Sequence, residues 1–149
     1  MVCDLVEDDY DKEWLNGWLT GLVDGEGFVN IRYRKDRGTM FPRLRVYCTS
    51  KPIIERAGRA MGVTPFPRRD HGKLLGWYVS VSHLKALKVL GMIGPRLSDP
   101  SKRCRAMKIL GTFHGIGTIK GQLTVAEFFA DCPPPTRLRK RPKDINRQS

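Results

Sequence analysis

The chain of 149 residues carries a formal net charge of +12, and 28% of its residues are charged. This length predicts one domain that needs no disulfide or metal to fold, because chains of about 150 residues bury roughly 68–70% of their unfolded surface. Residues 1–26 hold eight acidic groups and one basic group, whereas residues 27–149 hold 26 basic and seven acidic groups. This division of charge favours a polyanionic partner such as nucleic acid. It does not identify the partner further, since ribosomal and membrane-surface proteins are also basic.

The cysteines and the first residues bear on the compartment in which the protein works. No cysteine forms a CxxC pair or lies near the three histidines; the four are Cys3, Cys48, Cys104 and Cys132. This spacing argues against zinc binding and predicts reduced thiols. The first residues are acidic where a signal peptide is basic, and the apolar stretch 14–23 has about half the ~20 residues that a bilayer requires. We therefore expect an intracellular protein that is not secreted and has no membrane partner.

The first predicted elements are a helix, a hairpin, a short helix and a second hairpin. Apolar residues at three- and four-residue spacing predict a helix over about residues 11–24, and Gly27 breaks the pattern. Alternating residues predict one hairpin over about 28–49 and a second, with a weaker pattern, over about 65–82. Pro52 and Gly62 bound the short helix between the hairpins.

Three further helical patterns follow, over residues 83–90, 102–113 and 123–129. The whole order predicts an α+β chain that carries an antiparallel sheet. No internal repeat is visible. We expect a single domain over residues 1–132 and a basic, flexible tail over 133–149, because the tail combines prolines with six basic residues.

The first predicted helix combines a line of glycines with an acidic end. Gly17, Gly21 and Gly25 share one side of the helix, although each costs roughly 1 kcal/mol relative to alanine. Close approach of another helix would offset that cost. Asp24 and Glu26 lie at the negative end of the helix dipole, where a nearby cation would be needed to stabilise them. The plainer interpretation is a core helix with a glycine cap and solvated acids beyond it.

Residues 19–27 read LTGLVDGEG and resemble the nine-residue LAGLIDADG motif, with identity at the first, third, fourth, sixth and ninth positions. The order of the predicted elements extends the resemblance over about residues 10–115. The chain thus resembles the LAGLIDADG homing endonucleases of the single-motif, homodimeric type. The resemblance implies an αββαββα half with a saddle-shaped antiparallel sheet on DNA. It also implies a site-specific enzyme, associated with intron or intein mobility, that cuts both strands of a long DNA site.

The resemblance implies a homodimer, because the chain has one motif and the family packs two motif helices together. Two-fold symmetry then implies a near-palindromic target. The residues expected at the dimer interface lie on the motif helix: Gly17, Trp18, Gly21, Leu22 and Gly25.

Catalysis in the family uses Mg²⁺, for which Mn²⁺ or Ca²⁺ would substitute in binding. The metal ligand at the eighth motif position is Glu26, one methylene longer than the usual aspartate, and the Gly25 carbonyl is a further candidate ligand. Ser50 and Lys102 are the candidates for supporting catalytic residues, and Arg103 is the second candidate for the place given to Lys102. A plain surface charge is the alternative for each. Asp24 is expected to brace the helix end rather than to bind metal.

The alternation in the first hairpin predicts an outward face on which every charged side chain is positive. An ordinary solvent-exposed face carries both positive and negative side chains, and this is the alternative interpretation. Arginine and asparagine on such a ribbon read guanine and adenine in the major groove. We expect base contacts from Asn30, Arg32, Arg34, Arg43, Arg45 and Tyr47. The second hairpin would extend the contacts through Arg68, Arg69, Lys73 and Trp77, and the turn would contact phosphates through Lys35 and Arg37.

Two other functions remain open from the sequence. Chains similar to the LAGLIDADG family also serve as intron maturases or as DNA-binding regulators that do not cleave, and this is the alternative function. Glu26 favours retained catalysis, because a chain that does not cleave has no need of an acid at the centre of the DNA. A basic RNA- or ribosome-binding protein with an accidental motif match would be a monomer in which Glu26 has no chemical role.

Overall fold

The structure is a computed structural model of the chain, and it describes residues 10–135. The helices are α1 (Tyr10–Glu26), α2 (Lys51–Met61), α3 (His83–Ile93), α4 (Pro100–Phe113) and α5 (Val125–Phe128). The strands are β1 (Gly27–Arg34), β2 (Thr39–Cys48), β3 (Phe66–Asp70), β4 (Lys73–Ser82) and β5 (Ile119–Lys120), and a 3-10 turn spans Gly94–Arg96. The predicted α+β class and the αββαββα order are confirmed. The acidic residues 1–9 and positions 136–149 of the expected basic tail lie outside the described residues.

The strands form one antiparallel sheet in the order β1-β2-β4-β3, with β5 paired to the start of β2. Both predicted hairpins are present, and the pairing of β2 with β4 joins them into one surface. In that pairing Arg45 lies opposite Ser80, and Tyr47 lies opposite Tyr78. A register shift interrupts the second hairpin between Arg68 and Arg69. The short strand β5 had no counterpart among the predicted elements.

The core lies between one face of the sheet and the helices. Alternate residues of β1, β2 and β4 are buried there, including Val29, Leu44 and Val79, and α1 contributes Leu19 and Val23. Each such side chain contributes roughly 1.5–3 kcal/mol when fully buried. The predicted alternation of the first hairpin is therefore present, and it leaves the opposite face of the sheet free of helices at these positions.

The short helix α2 begins and ends as the sequence predicts. Pro52 occupies its first turn, and Gly62 follows it in the left-handed conformation with φ of 71°. The N–H of Gly62 donates to the carbonyls of Gly58 and Arg59 and so closes the helix end.

One expectation about the cysteines is wrong. Cys104 on α4 and Cys132 after α5 form a disulfide with a Cα–Cα distance of 5.6 Å. They are 28 residues apart in sequence, and the chain returns to α4 through α5, which spacing alone does not reveal. Cys48 is a free thiol, and Cys3 lies outside the described residues. In the described part of the chain, no helix has the length and apolar character needed to cross a membrane.

Candidate functional site

The C-terminal end of α1 is tied to the start of α4 by Asp24. Its carboxylate accepts hydrogen bonds from the backbone N–H of Ser98 at 2.9 and 3.1 Å and from that of Asp99 at 3.0 Å. Asp99 in turn caps α4 by accepting from the N–H of Lys102 at 2.9 Å. The bracing contact expected of Asp24 is therefore present, and this carboxylate is engaged within the chain.

Lys102 completes the connection from the other side. Its Nζ donates to the carbonyl oxygens of Val23 at 3.0 Å and of Asp24 at 2.7 Å. This ammonium is the cation that the acidic end of α1 requires, because it lies against the negative end of the helix dipole. Two of its three donors are used in this way, and its catalytic role stays a prediction.

Glu26, the last residue of α1, is exposed, and its carboxylate makes no hydrogen bond or ion pair with any described residue. It lines a surface depression of about 270 Å³ together with Tyr47, Cys48, Thr49, Arg68, Leu75, Gly76 and Trp77. The depression brings Glu26 beside β2 and the second hairpin. The two carboxylates, separated by one residue, therefore differ: that of Asp24 accepts hydrogen bonds from the start of α4, whereas that of Glu26 makes no contact of this kind in the described chain.

Ser50, the other residue predicted to support catalysis, does not line this depression. It precedes α2 at the N-cap position, where its hydroxyl makes no capping hydrogen bond, and its N–H donates to Cys48 Sγ at 3.4 Å. Thr49, which the sequence did not single out, lines the depression together with Glu26.

Within residues 10–135, no three His, Cys, Asp or Glu side chains come together as a metal site. The Glu26 carboxylate and the Gly25 carbonyl are hard oxygen donors of the kind that Mg²⁺ prefers. Within the described residues, these two groups are the hard oxygen donors available at the end of α1, since the Asp24 carboxylate is already engaged with the start of α4.

The glycine stripe, defined as Gly17, Gly21 and Gly25, faces open space. A Cβ added at any of the three would meet no other atom of the described chain within 4 Å. By contrast, a Cβ at Gly27 would lie 2.6 Å from Val23 Cγ1, so that glycine is required by packing inside the chain. The close approach expected of the stripe is therefore not made within the described residues.

The other expected interface residues are less free than the stripe. Trp18 and Leu22 are half-buried and pack against the core of their own chain. Trp14, one turn before Trp18, is 52% exposed. Arg56 of α2 lies 5.3 Å from both indole rings. The exposed side of α1 thus presents the glycines flanked by aromatic surface.

The basic face is the side of the sheet opposite the helices, and it includes Asn30, Arg32, Arg43, Arg45 and Tyr47. No acidic residue occurs in β1 or β2. Burial lowers the pKa of Arg43, and the neighbouring charges of Arg45 and Arg32 lower that pKa further. The positive charges on this face therefore repel one another, and binding of an anion would reduce that repulsion.

Two cross-strand partners on the basic face have unsatisfied polar atoms. Asn30 lies opposite Arg43, and both Asn30 Oδ1 and Arg43 Nε are buried without a hydrogen-bond partner in the described chain. Buried polar groups are normally paired, so these two atoms are exceptions within the described chain.

The remaining residues predicted to contact DNA lie around the basic face, with one exception. Arg34 pairs with Asp36 at 3.1 Å, Lys35 and Arg37 are exposed in the turn, and Arg69 and Lys73 are exposed near the far end of the second hairpin. The Arg68 guanidinium lies 5.0 Å from the centre of the Tyr47 ring.

Trp77 lies on the other side of the sheet from the basic face, and its predicted contact with DNA stays a prediction. Strand alternation turns it to the same side as Val79, and its register partner on β2 is Cys48. It is half-buried against the core, with Lys51 Nζ 4.8 Å from the centre of its ring. Its only connection with the predicted site is its position along the Glu26 depression.

Sequence reasoning also missed residues that neighbour the site. Tyr78 and Ser80 join the basic face through the pairing of β2 with β4. Arg105 of α4 donates to the carbonyl of Val29 at 3.2 Å, and its burial lowers its pKa. The alternation of β4 could have indicated Tyr78 and Ser80, but only with the register of the two hairpins known.

No protein-family model matches the chain, and no curated protein matches it. Among solved structures, the chain is similar to the homing endonuclease I-CvuI, crystallised with the I-CreI target in 2 mM Mg with the DNA not cleaved. The identity is 22% and the TM-score 0.54, over 69% of this chain and 68% of that one. A second structure, the archaeal intron-encoded homing endonuclease I-Vdi141I complexed with DNA, is 15% identical with a TM-score of 0.49, over 70% and 74% of the two chains. The likeness to I-CvuI shows that this chain has the fold of a homing endonuclease.

Proposed function

We propose that the chain is one half of a homodimeric, site-specific homing endonuclease that cuts both strands of a long, near-palindromic DNA site in the presence of Mg²⁺. The observation that carries the proposal is the Glu26 carboxylate, exposed and unpaired in the described chain, beside the basic face. Glu26 lies next to this positively charged surface and yet makes no ion pair with it in the described chain. A free carboxylate at this place could bind a metal ion that contacts a DNA phosphate.

The basic face would lie in the DNA major groove. A two-stranded antiparallel ribbon fits that groove, and arginine and asparagine side chains distinguish base pairs there. The exposed Arg32 on the same face supports this role, because its guanidinium makes no hydrogen bond with any described residue. The exposed Lys35 and Arg37 in the turn would contact phosphates, which fix position rather than sequence.

The glycine stripe would form the centre of the dimer. Helices approach closely where small residues line the contact, and the stripe is exposed along the side of α1. A two-fold axis beside α1 would bring both Glu26 side chains together at the middle of the DNA site. The same symmetry gives the near-palindromic target.

Each residue at the end of α1 would have a separate task in the reaction. Glu26 and the Gly25 carbonyl would hold Mg²⁺, which when bound would activate water and stabilise the leaving oxygen. Asp24 and Lys102 fix the end of α1 against α4, and thereby position Glu26. The remaining donor of Lys102 is available to stabilise charge on the attacked phosphate.

The test is to incubate the purified protein with a library of randomised palindromic DNA and Mg²⁺, and to sequence the new DNA ends. We expect paired cuts in both strands at one enriched site. Glu26→Gln should abolish these cuts yet retain DNA binding, because it removes the charge of the metal ligand while keeping the size of the side chain.

Two outcomes would contradict the proposal. Glu26→Gln that cuts with the same metal would exclude Glu26 as the metal ligand. Enriched binding without new ends, with Mn²⁺ as well as Mg²⁺, would instead favour a maturase or a DNA-binding regulator. Lys88→Gln is a suitable control, since Lys88 on α3 lies in a groove with Lys12 and Met92, away from the residues assigned above.

A further inference from the structure

Arg45 is held more firmly than its neighbours on the basic face. Its Nε donates to Ser80 Oγ at 3.3 Å, and its Nη1 donates to Tyr47 Oη at 3.2 Å. Its guanidinium carbon lies 5.2 Å from the centre of the Tyr78 ring. Contacts from two strands therefore restrict a side chain that otherwise has many rotamers.

The neighbouring arginines lack such support. Arg32 on β1 is exposed and makes no hydrogen bond with any described residue. Arg43, two residues before Arg45 on β2, has a buried Nε without a partner. The difference between the three arginines lies in what surrounds them, since all three occupy the same face of the same hairpin.

The contacts around Arg45 follow from the register of the sheet. Ser80 is the direct partner of Arg45, and Tyr78 is the direct partner of Tyr47. The Tyr78 ring is itself supported by Tyr47 and by Phe66, each with a centroid distance of 5.8 Å. The orientation of Arg45 is thus built into the pairing of β2 with β4.

We propose that Ser80 and Tyr78 are positioning residues that hold Arg45 ready to read one guanine in each half of the DNA site. The inference rests on the proposed function. A guanidinium has five N–H groups, of which Ser80 and Tyr47 occupy two, so enough remain for the two bonds that guanine O6 and N7 accept. An arginine that is already oriented loses less freedom on binding and discriminates more sharply between bases.

The experiment is selection of bound sequences by the full chain from a randomised palindromic DNA library. Arg45→Ala first identifies the base pair that Arg45 reads, as the position where the preference is lost. Ser80→Ala and Tyr78→Leu should each lower the preference at that same position by roughly three- to tenfold, the effect of one lost hydrogen bond or ring contact. The salt dependence of binding should not change, because no charge is removed.

Conservative variants separate positioning from simple support of the fold. Ser80→Thr keeps the hydroxyl acceptor and Tyr78→Phe keeps the ring, so both should restore the preference. Ser82→Ala is the matched control, since Ser82 lies two residues further on the same strand and its hydroxyl contacts His83 at 3.0 Å. The preference at the position read by Arg32 serves as an internal control in every variant.

Three results would overturn the inference. The first is a wild-type base preference in both Ser80→Ala and Tyr78→Leu when Arg45→Ala has lost that preference. This result would show that Arg45 needs no positioning. An equal loss at all positions would indicate a general change of the sheet. A wild-type chain that enriches no sequence would refute the proposed function itself, a result distinct from the other two.

Discussion

The glycine stripe of α1 allows a test in which folding stability and dimerisation should change in opposite directions. The perturbation is the double substitution Gly17→Ala and Gly21→Ala, with Gly25 left intact because it is a candidate metal ligand. Within the described chain an added Cβ at either position meets no atom within 4 Å. The monomer should therefore accept both methyl groups without a clash.

The expected gain in monomer stability follows from helix propensity. Alanine is favoured over glycine in a helix interior by roughly 1 kcal/mol per residue, so the pair should add about 2 kcal/mol. For a chain of this size that corresponds to a rise in Tm of about 4–8 °C. Thermal unfolding followed by circular dichroism, at a concentration where the monomer dominates, measures it.

The dimer should weaken at the same time. Symmetry doubles the two methyl groups, and each added group in a close helix contact costs about 1–3 kcal/mol when it overpacks the contact. A loss of even 2 kcal/mol raises the dimer Kd roughly 30-fold. Sedimentation equilibrium of the wild type and the double variant measures this change directly.

Gly111→Ala provides the matched control. Gly111 is an exposed glycine in α4, and an added Cβ there also meets nothing within 4 Å. This variant should gain the same stability per residue and keep the wild-type dimer. The reasoning would be refuted if the Gly17 and Gly21 double variant dimerised as tightly as the wild type, or if its monomer became less stable.

Three further predictions concern the end of α1 and the disulfide. Asp24→Ala should lower the free energy of unfolding by about 1.5–3 kcal/mol, because two backbone N–H groups lose a charged acceptor. Glu26→Gln, measured beside it by urea unfolding, should instead raise the free energy of unfolding by about 0.3–1 kcal/mol, because it removes a charge at the negative end of the helix dipole. Equal losses in the two variants would contradict the division between the two carboxylates. Lys102→Met should cost about 1 kcal/mol through loss of the cation at the helix end, and the cost should shrink at high salt; a loss independent of salt would argue against the dipole. Reductant should lower the stability of the wild type by about 3–4 kcal/mol, as expected for a loop of 28 residues, and Cys104→Ser should remove that sensitivity whereas Cys48→Ser should not.

The sequence predicted those parts of the fold that depend on local periodicity. The alternation in β1 and β2 correctly indicated which residues are buried, because strand side chains alternate strictly between the two faces. Pro52 and Gly62 correctly bounded α2, since proline suits the first turn of a helix and glycine the left-handed position after it. These features require no knowledge of the rest of the chain.

The parts that were missed depend on contacts between distant segments. The side of β4 on which Trp77 lies could not be read from the sequence, because the register of the second hairpin was not visible in its weak pattern. Ser80 and Tyr78 were overlooked for the same reason, as their role arises only when β4 pairs with β2. The Cys104–Cys132 disulfide likewise depends on the return of the chain to α4.

The end of α1 explains why two carboxylates are kept at a place where the helix dipole disfavours them. Each would cost about 0.3–1 kcal/mol at the negative end of a helix. Asp24 offsets this cost by accepting three hydrogen-bond contacts at the start of α4, where the dipole is favourable, and Lys102 returns a positive charge to the end of α1. Glu26 makes no such contacts within the described residues, which is the condition that the proposed metal ligand requires. The contacts that fix Asp24 therefore leave Glu26 held in place through the backbone while its carboxylate stays available.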